Sequence, residues 1–132
     1  MQHSIIVASS DTKQHDEVMR AAMAHACDVV ACHSLMELER QAHEGSAAIV
    51  ILDMDALPVD NRFFRNLAKA CPEIRILALS NKTFHPELKE SISSYIHACL
   101  AKPIDPDELG FWLRSIQRDG TSSQSRHSPP SL

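Results

Sequence analysis

Four short runs of the chain, IIVAS (5–9), VVAC (29–32), AIVILD (48–53) and IRILALS (74–80), are built mainly from Val, Ile, Leu and Ala. Three of them lack clean polar alternation, which is the pattern of strands covered on both faces. A weaker fifth run, ACLAK (98–102), stops at Pro103, a residue with no N–H to donate to a sheet ladder. Five strands are predicted.

Between these runs the apolar spacing becomes helical. After the polar opening DTKQHDE (11–17), Val18, Met19, Ala22 and Met23 fall on one face; Asp11 or Thr12 is placed to cap that helix, and Asp16 and Glu17 complement its positive end. SLMELERQAHEG (34–45) offers Ser34 as N-cap, Glu37 as its capping-box partner and Gly45 as a stop. DNRFFRNLAKACP (60–72) sets Phe63, Phe64 and Leu67 together and halts before Pro72. Pro86 suits the first turn of a fourth helix containing Leu88, Ser91 and Ile92. Asp105 and Pro106 open a fifth, striped by Leu109, Trp112, Leu113 and Ile116.

Strand and helix thus alternate five times, with connections too long for hairpins. The fold class predicted is α/β: a mainly parallel sheet, doubly wound, with right-handed crossovers and helices on both faces. Composition agrees, since 132 residues that are 44% hydrophobic bury one core without staples. Residues 1–118 are expected to form that domain, and the Ser/Pro-rich DGTSSQSRHSPPSL (119–132) a disordered tail or linker.

Charge and cysteines narrow the partners. A formal charge of −4 gives no attraction to nucleic acid or anionic membrane, so no direct binding to either is expected. No apolar run approaches the roughly 20 residues of a membrane span, and the start has no signal-peptide core, so a cytoplasmic location is expected. Cys27, Cys32, Cys71 and Cys99 lack C-x-x-C spacing and sit among apolar residues; they are expected to be buried, reduced thiols.

In a parallel α/β sheet, ligand chemistry collects at the carboxyl ends of the strands. Those ends carry residues 8–11, 53–58, 80–82 and 102–103. Asp53, Ser80 and Lys102 place a carboxylate, a hydroxyl and an ammonium there, a set suited to handling an anion, with Asp53 as nucleophile. Singly, each has a plainer role: a turn former, a cap and a solvated cation.

Together, Asp53 ending AIVILD, Ser80 ending ILALS and Lys102 in AKP resemble the response-regulator receiver domains of two-component signalling, over residues 4–117. The resemblance implies a flavodoxin-like strand order 2-1-3-4-5. It implies that Asp53 accepts a phosphoryl group from a sensor histidine kinase or phosphotransfer protein, that Ser80 turns inward to bond it, and that Lys102 pairs with a phosphoryl oxygen. Helix 4 and strand 5 then form the face offered to an output domain or target, or to a second copy in a homodimer. On this reading the chain is a signalling module, not an enzyme beyond its own phosphotransfer and dephosphorylation.

The chain also departs from that family. Ala8, Ser9 and Ser10 follow the first strand where the family places two acids that hold Mg2+. The metal set implied is then Asp53 and Asp55, with Asp11 if the strand end carries a small insertion; otherwise Asp11 is a helix cap. Pro58 stands five residues beyond Asp53 instead of four. Asp55 and Lys82 are expected to pair across the pocket mouth, or else to be two solvated charges. Cys99 replaces the customary Tyr or Phe, and Tyr95 stands at another register. His33 or His85 enters the pocket only if the loops carry it there. The alternative function is therefore a pseudo-receiver, a phosphorylation-independent interaction or dimerisation domain. A flavin enzyme on this fold is disfavoured, because no glycine-rich loop follows the first strand.

Overall fold

The apolar runs become β1 (Ser4–Ala8), β2 (Asp28–Cys32), β3 (Ala47–Asp53), β4 (Arg75–Ser80) and β5 (Ala98–Ala101) in a computed structural model that describes residues 4–25, 28–44, 47–82 and 85–122. The segments between and after them form α1 (Thr12–Met23), α2 (Leu35–Glu44), α3 (Asn61–Ala70), α4 (Lys89–Ser94) and α5 (Pro106–Ser122). All neighbouring strands are parallel, in the order β2-β1-β3-β4-β5.

Period-two alternation divides each central strand between two cores. Ile6, Ala8, Val50, Leu52, Ile76 and Ala78 pack with Leu38 of α2, with Phe63, Phe64 and Leu67 of α3, and with Leu88. Ile5, Val7, Ile49, Ile51, Leu77 and Leu79 pack on the opposite face with Val18 and Ala22 of α1 and with Leu109, Leu113 and Ile116 of α5. Both faces are buried, which is why these strands read as continuous apolar runs. Fully burying one Leu or Ile side chain contributes about 1.5–3 kcal/mol, so these two layers dominate the stability.

Local signals set the helix ends. Asp60 is the N-cap of α3, accepting from the Phe63 N–H at 2.8 Å. Ser34 Oγ accepts from the Glu37 N–H at 3.1 Å, as its N-cap role requires. The Glu37 carboxylate, however, reaches back to the His33 N–H (2.7 Å), one residue earlier than a capping box places it. Pro86 opens a 3₁₀ turn (Pro86–Leu88) that runs into the short α4. Asn61 ties α4 to α3: its Nδ2 donates to the Glu87 carbonyl, and its Oδ1 accepts from the backbone N–H and the hydroxyl of buried Ser91. A Cβ at Gly110 in α5 would stand 2.8 Å from His25 Nε2, so the His25 side chain from the turn after α1 rests against α5 at this glycine.

Two expectations change. Cys99 is exposed and Cys71 half-buried, leaving only Cys32 buried among the described cysteines. The fourth helix starts as a 3₁₀ turn, not an α-helical one. Helix α5 runs to Ser122. Cys27, Gly45 and residues 123–132 lie outside the described residues. No helix among those described is long and apolar enough to cross a membrane.

Candidate functional site

Asp53 is the last residue of β3 and is fully buried. Because Ala8 pairs with Leu52, the residue following β1 is carried alongside Asp53. That residue is Ser9, 2% exposed, and its hydroxyl donates to Asp53 Oδ2 at 2.9 Å. The other oxygen, Oδ1, accepts from the Asp55 backbone N–H at 3.0 Å and from Lys102 Nζ at 2.8 Å. Lys102 follows β5 and is fixed beside β4 by its own N–H, which donates to the Ser80 carbonyl at 3.2 Å. From there its side chain, only 8% exposed, crosses the end of β4 to reach Asp53. The Lys102–Pro103 peptide is cis.

A second tier lies against the first. The Asp55 carboxylate accepts from Ser80 Oγ (2.9 Å), from the Asn81 N–H (2.6 Å) and from Lys102 Nζ (3.3 Å). Burial, the largest single influence on Asp55, pushes its carboxyl up; the Asn81 amide, the Ser80 hydroxyl and Lys102 together outweigh it and hold the group below its ordinary range. The same balance acts on Lys102. Burial works to lower its ammonium, and bonding to Asp53 and then Asp55 overcomes this and raises it.

Ser80 is 4% exposed and has further partners: His85 Nε2 at 3.0 Å and the Lys82 N–H at 3.0 Å. A hydroxyl has one proton and two lone pairs. With its proton on Asp55 and one lone pair on the Lys82 amide, Ser80 accepts from His85 Nε2–H, which fixes that tautomer. His33 touches the site from the other side, with Nδ1 3.2 Å from the Ser9 carbonyl and its ring stacked on buried His15 at 4.8 Å.

Asp53, Ser80 and Lys102 therefore meet as their strand-end positions require, and Asp55 joins them. Asp55 does so through Lys102, not Lys82: the inward donors capture its carboxylate, and Lys82 contributes its backbone while remaining an exposed residue. Asp11 is exposed at the start of α1, with its N–H donated to Ser9 Oγ and its carbonyl accepting from the His15 N–H. Leu57, just before Pro58, turns into the core. Tyr95 is half-buried at the C-terminal end of α4. Ser9, the Asn81 amide and His85 are the participants that sequence reasoning undervalued. Their strand-end positions are the signal for Ser9 and Asn81, and Pro86, which opens the turn after His85, is the signal for His85.

Comparison with solved structures gives this arrangement a context. The receiver domain of an HD domain-containing protein from Pseudomonas fluorescens superposes with a TM-score of 0.82 at 15% identity, covering 96% of this chain and 94% of the other. A CheY-like receiver domain protein from Methanospirillum hungatei gives 0.79 at 13% identity, covering 93% and 100%. The fold is that of a receiver domain. The BeF3-activated DrrB receiver domain matches at 0.76 with 17% identity, covering 89% of this chain and 99% of that one. No family model matches the sequence, and no curated protein matches it.

Receiver folds commonly bind Mg2+, so the donor set matters. Magnesium demands octahedral oxygen coordination anchored by carboxylates. Here Asp53 faces a neutral hydroxyl in Ser9, and the Asp55 carboxylate is already taken up by Ser80, Asn81 and Lys102. No group of three His, Cys, Asp or Glu able to hold a metal ion occurs among the described residues. The residues present do not fit magnesium.

Proposed function

We propose that this chain is a signalling module of receiver fold that engages an output domain or target protein, or a second copy of itself, through its α4–β5 face without phosphoryl transfer. The observation that carries the reading is the Ser9 hydroxyl on Asp53, at the place where a metal-holding carboxylate belongs. A phosphoryl dianion beside Asp53 needs compensating positive charge. Lys102 is one ammonium already shared by two carboxylates. The buried cluster instead serves as a fixed polar core under the signalling face, with Asn61 coupling the α3 side of that core to α4.

A second reading has its own support, since Asp53, Ser80 and Lys102 do converge at three strand ends. In it Asp53 accepts phosphate from a histidine kinase or phosphotransfer protein, Ser80 and Lys102 bind the phosphoryl oxygens, and Mg2+ is required. One experiment separates the two. The protein is incubated with acetyl phosphate or beryllofluoride and Mg2+, and its intact mass and NMR shifts are compared with those of Asp53→Asn. The first reading expects no Asp53-dependent change; a mass increase or shift pattern lost in Asp53→Asn establishes the second. Light scattering across concentration then distinguishes a homodimer from a monomer awaiting another partner.

A further inference from the structure

Ser80, Asn81 and Lys102 reach the site from three different places: the end of β4, the residue after it, and the residue after β5. Their donors nevertheless converge on a single carboxylate, Ser80 Oγ on Asp55 Oδ1 and the Asn81 N–H and Lys102 Nζ on Oδ2. Lys102 Nζ is at the same time 2.8 Å from Asp53, so the point of convergence lies directly against the buried carboxylate. A hydroxyl with its proton turned to the carboxylate, a backbone amide and an ammonium aimed at the same group make an anion site, because all three offer it protons.

Backbone bonds fix two of the three donors. The Asn81 N–H follows from the backbone path after β4, and Lys102 is held by its own backbone bond to Ser80; neither placement depends on the Asp55 side chain. Ser80 Oγ gives its proton to Asp55 and accepts from the Lys82 N–H and from His85, which occupies its lone pairs.

We propose that Ser80 Oγ, the Asn81 N–H and Lys102 Nζ form an oxyanion seat over Asp53, and that Asp55 fills it with its own carboxylate. The ligand class of the seat is a small oxyanion, carboxylate or phosphate; in this chain it is supplied internally. The charge count fits a metal-free occupant. A carboxylate brings one negative charge where a phosphoryl group brings nearly two, and Lys102 is the cation that contacts both Asp53 and Asp55. The donors that engage a phosphoryl oxygen in the second reading are thus already engaged, and Ser80 is held inward without phosphorylation. This inference rests on, and deepens, the phosphorylation-independent reading.

The test uses the whole chain with Asp55→Ala and Asp55→Asn, in EDTA, with inorganic phosphate as probe and the Asn81 amide as reporter. In Asp55→Ala the Asn81 amide proton moves upfield and signals of His85 and α4 shift; added phosphate returns them towards their wild-type positions. Wild type, its seat full, does not respond to phosphate. Asp55→Asn keeps the shape but loses the charge, so its Asn81 proton moves upfield too, which keeps the test alive if the alanine variant does not fold. An Asn81 amide that stays put in both variants overturns the seat, as does phosphate shifting wild type and Asp55→Ala equally, or leaving folded Asp55→Ala unmoved. The two readings fail separately: modification of Asp53 in wild type removes the phosphorylation-independent function, whereas the seat stands or falls on Asn81.

Discussion

The Lys102 ammonium lies 2.8 Å from Asp53 Oδ1, an ion pair in which the carboxylate is fully buried and the lysine side chain only 8% exposed. Removing one member of such a pair leaves an uncompensated buried charge, at a cost of about 3–5 kcal/mol. Lys102→Met is therefore expected to lower stability by that amount in urea denaturation, and the double variant Asp53→Asn with Lys102→Met to recover most of it. A double variant no more stable than Lys102→Met would show that the loss came from packing and not from charge.

Ser9 sets a neutral hydroxyl against the buried Asp53 carboxylate. Ser9→Asp sets a second carboxylate against Asp53, and two like charges about 4 Å apart repel by about 4 kcal/mol at an effective dielectric near 20, before one of them protonates. Thermal denaturation is expected to show Ser9→Asp less stable than wild type in EDTA and partly restored by millimolar Mg2+, while wild type ignores the metal. Magnesium stabilising wild type to the same degree would mean that a metal site exists without the acid.

Three of the shifted groups frame the pH window, and Cys99, whose thiol burial also pushes up, adds to its alkaline side. Asp55 is held below its ordinary value of 3.8, so its contribution is present above 3.8 and is lost as pH falls through the depressed folded value. Lys102 is raised above 10.5, so its contribution is present below 10.5 and is lost as pH rises through the elevated folded value. Burial, helped by Glu37 and opposed by Arg40, pushes the Cys32 thiol from 9.0 up to about 11; the unfolded chain therefore ionises first, and stability begins to fall above 9.0. As far as these groups decide it, the urea midpoint is flat from 3.8 to 9.0. Asp55→Asn should flatten the acid limb, and an unchanged limb would count against the bonding drawn around Asp55.

Thiol reactivity follows exposure and ionisation together. Burial pushes both thiols up, but Cys99 is exposed on β5, whereas Cys32 is fully buried with its thiol raised to about 11. Alkylation with iodoacetamide near neutral pH, mapped by peptide mass, is expected to modify Cys99 in the native state and Cys32 only after denaturation. Equal labelling of both would place Cys32 outside the core.

Sequence legibility tracked burial. Strands β3 and β4 announce themselves because both faces are covered, which writes the core into consecutive residues. Asp53, Ser80 and Lys102 were legible for a related reason: each ends or follows such a run, so the strand that reveals itself also locates them. Asp55 was paired with the wrong lysine because Lys82 is near Ser80 along the chain, whereas Lys102 is brought in by β5 lying next to β4, a relation that periodicity does not encode. His85 was undervalued because the course of the loop after β4 carries no repeating pattern. Ser9 read as the loss of an acid; only its 2.9 Å bond to Asp53 shows what the hydroxyl does instead. The exposure of Cys99 is not legible because an apolar neighbourhood in sequence does not reveal which side of an edge strand is covered: Cys32 on edge strand β2 is buried, Cys99 on edge strand β5 is not.

Edge strand β5 also sets a condition on any protein that docks against it. β5 spans only Ala98–Ala101 and is followed at once by Lys102, whose N–H is already given to Ser80, and by Pro103, which has none. A stretch this short, ended by a proline, offers too little free main chain to template an added strand. Recognition by β-augmentation is thereby discouraged at this edge, and a protein that docks here must read side chains.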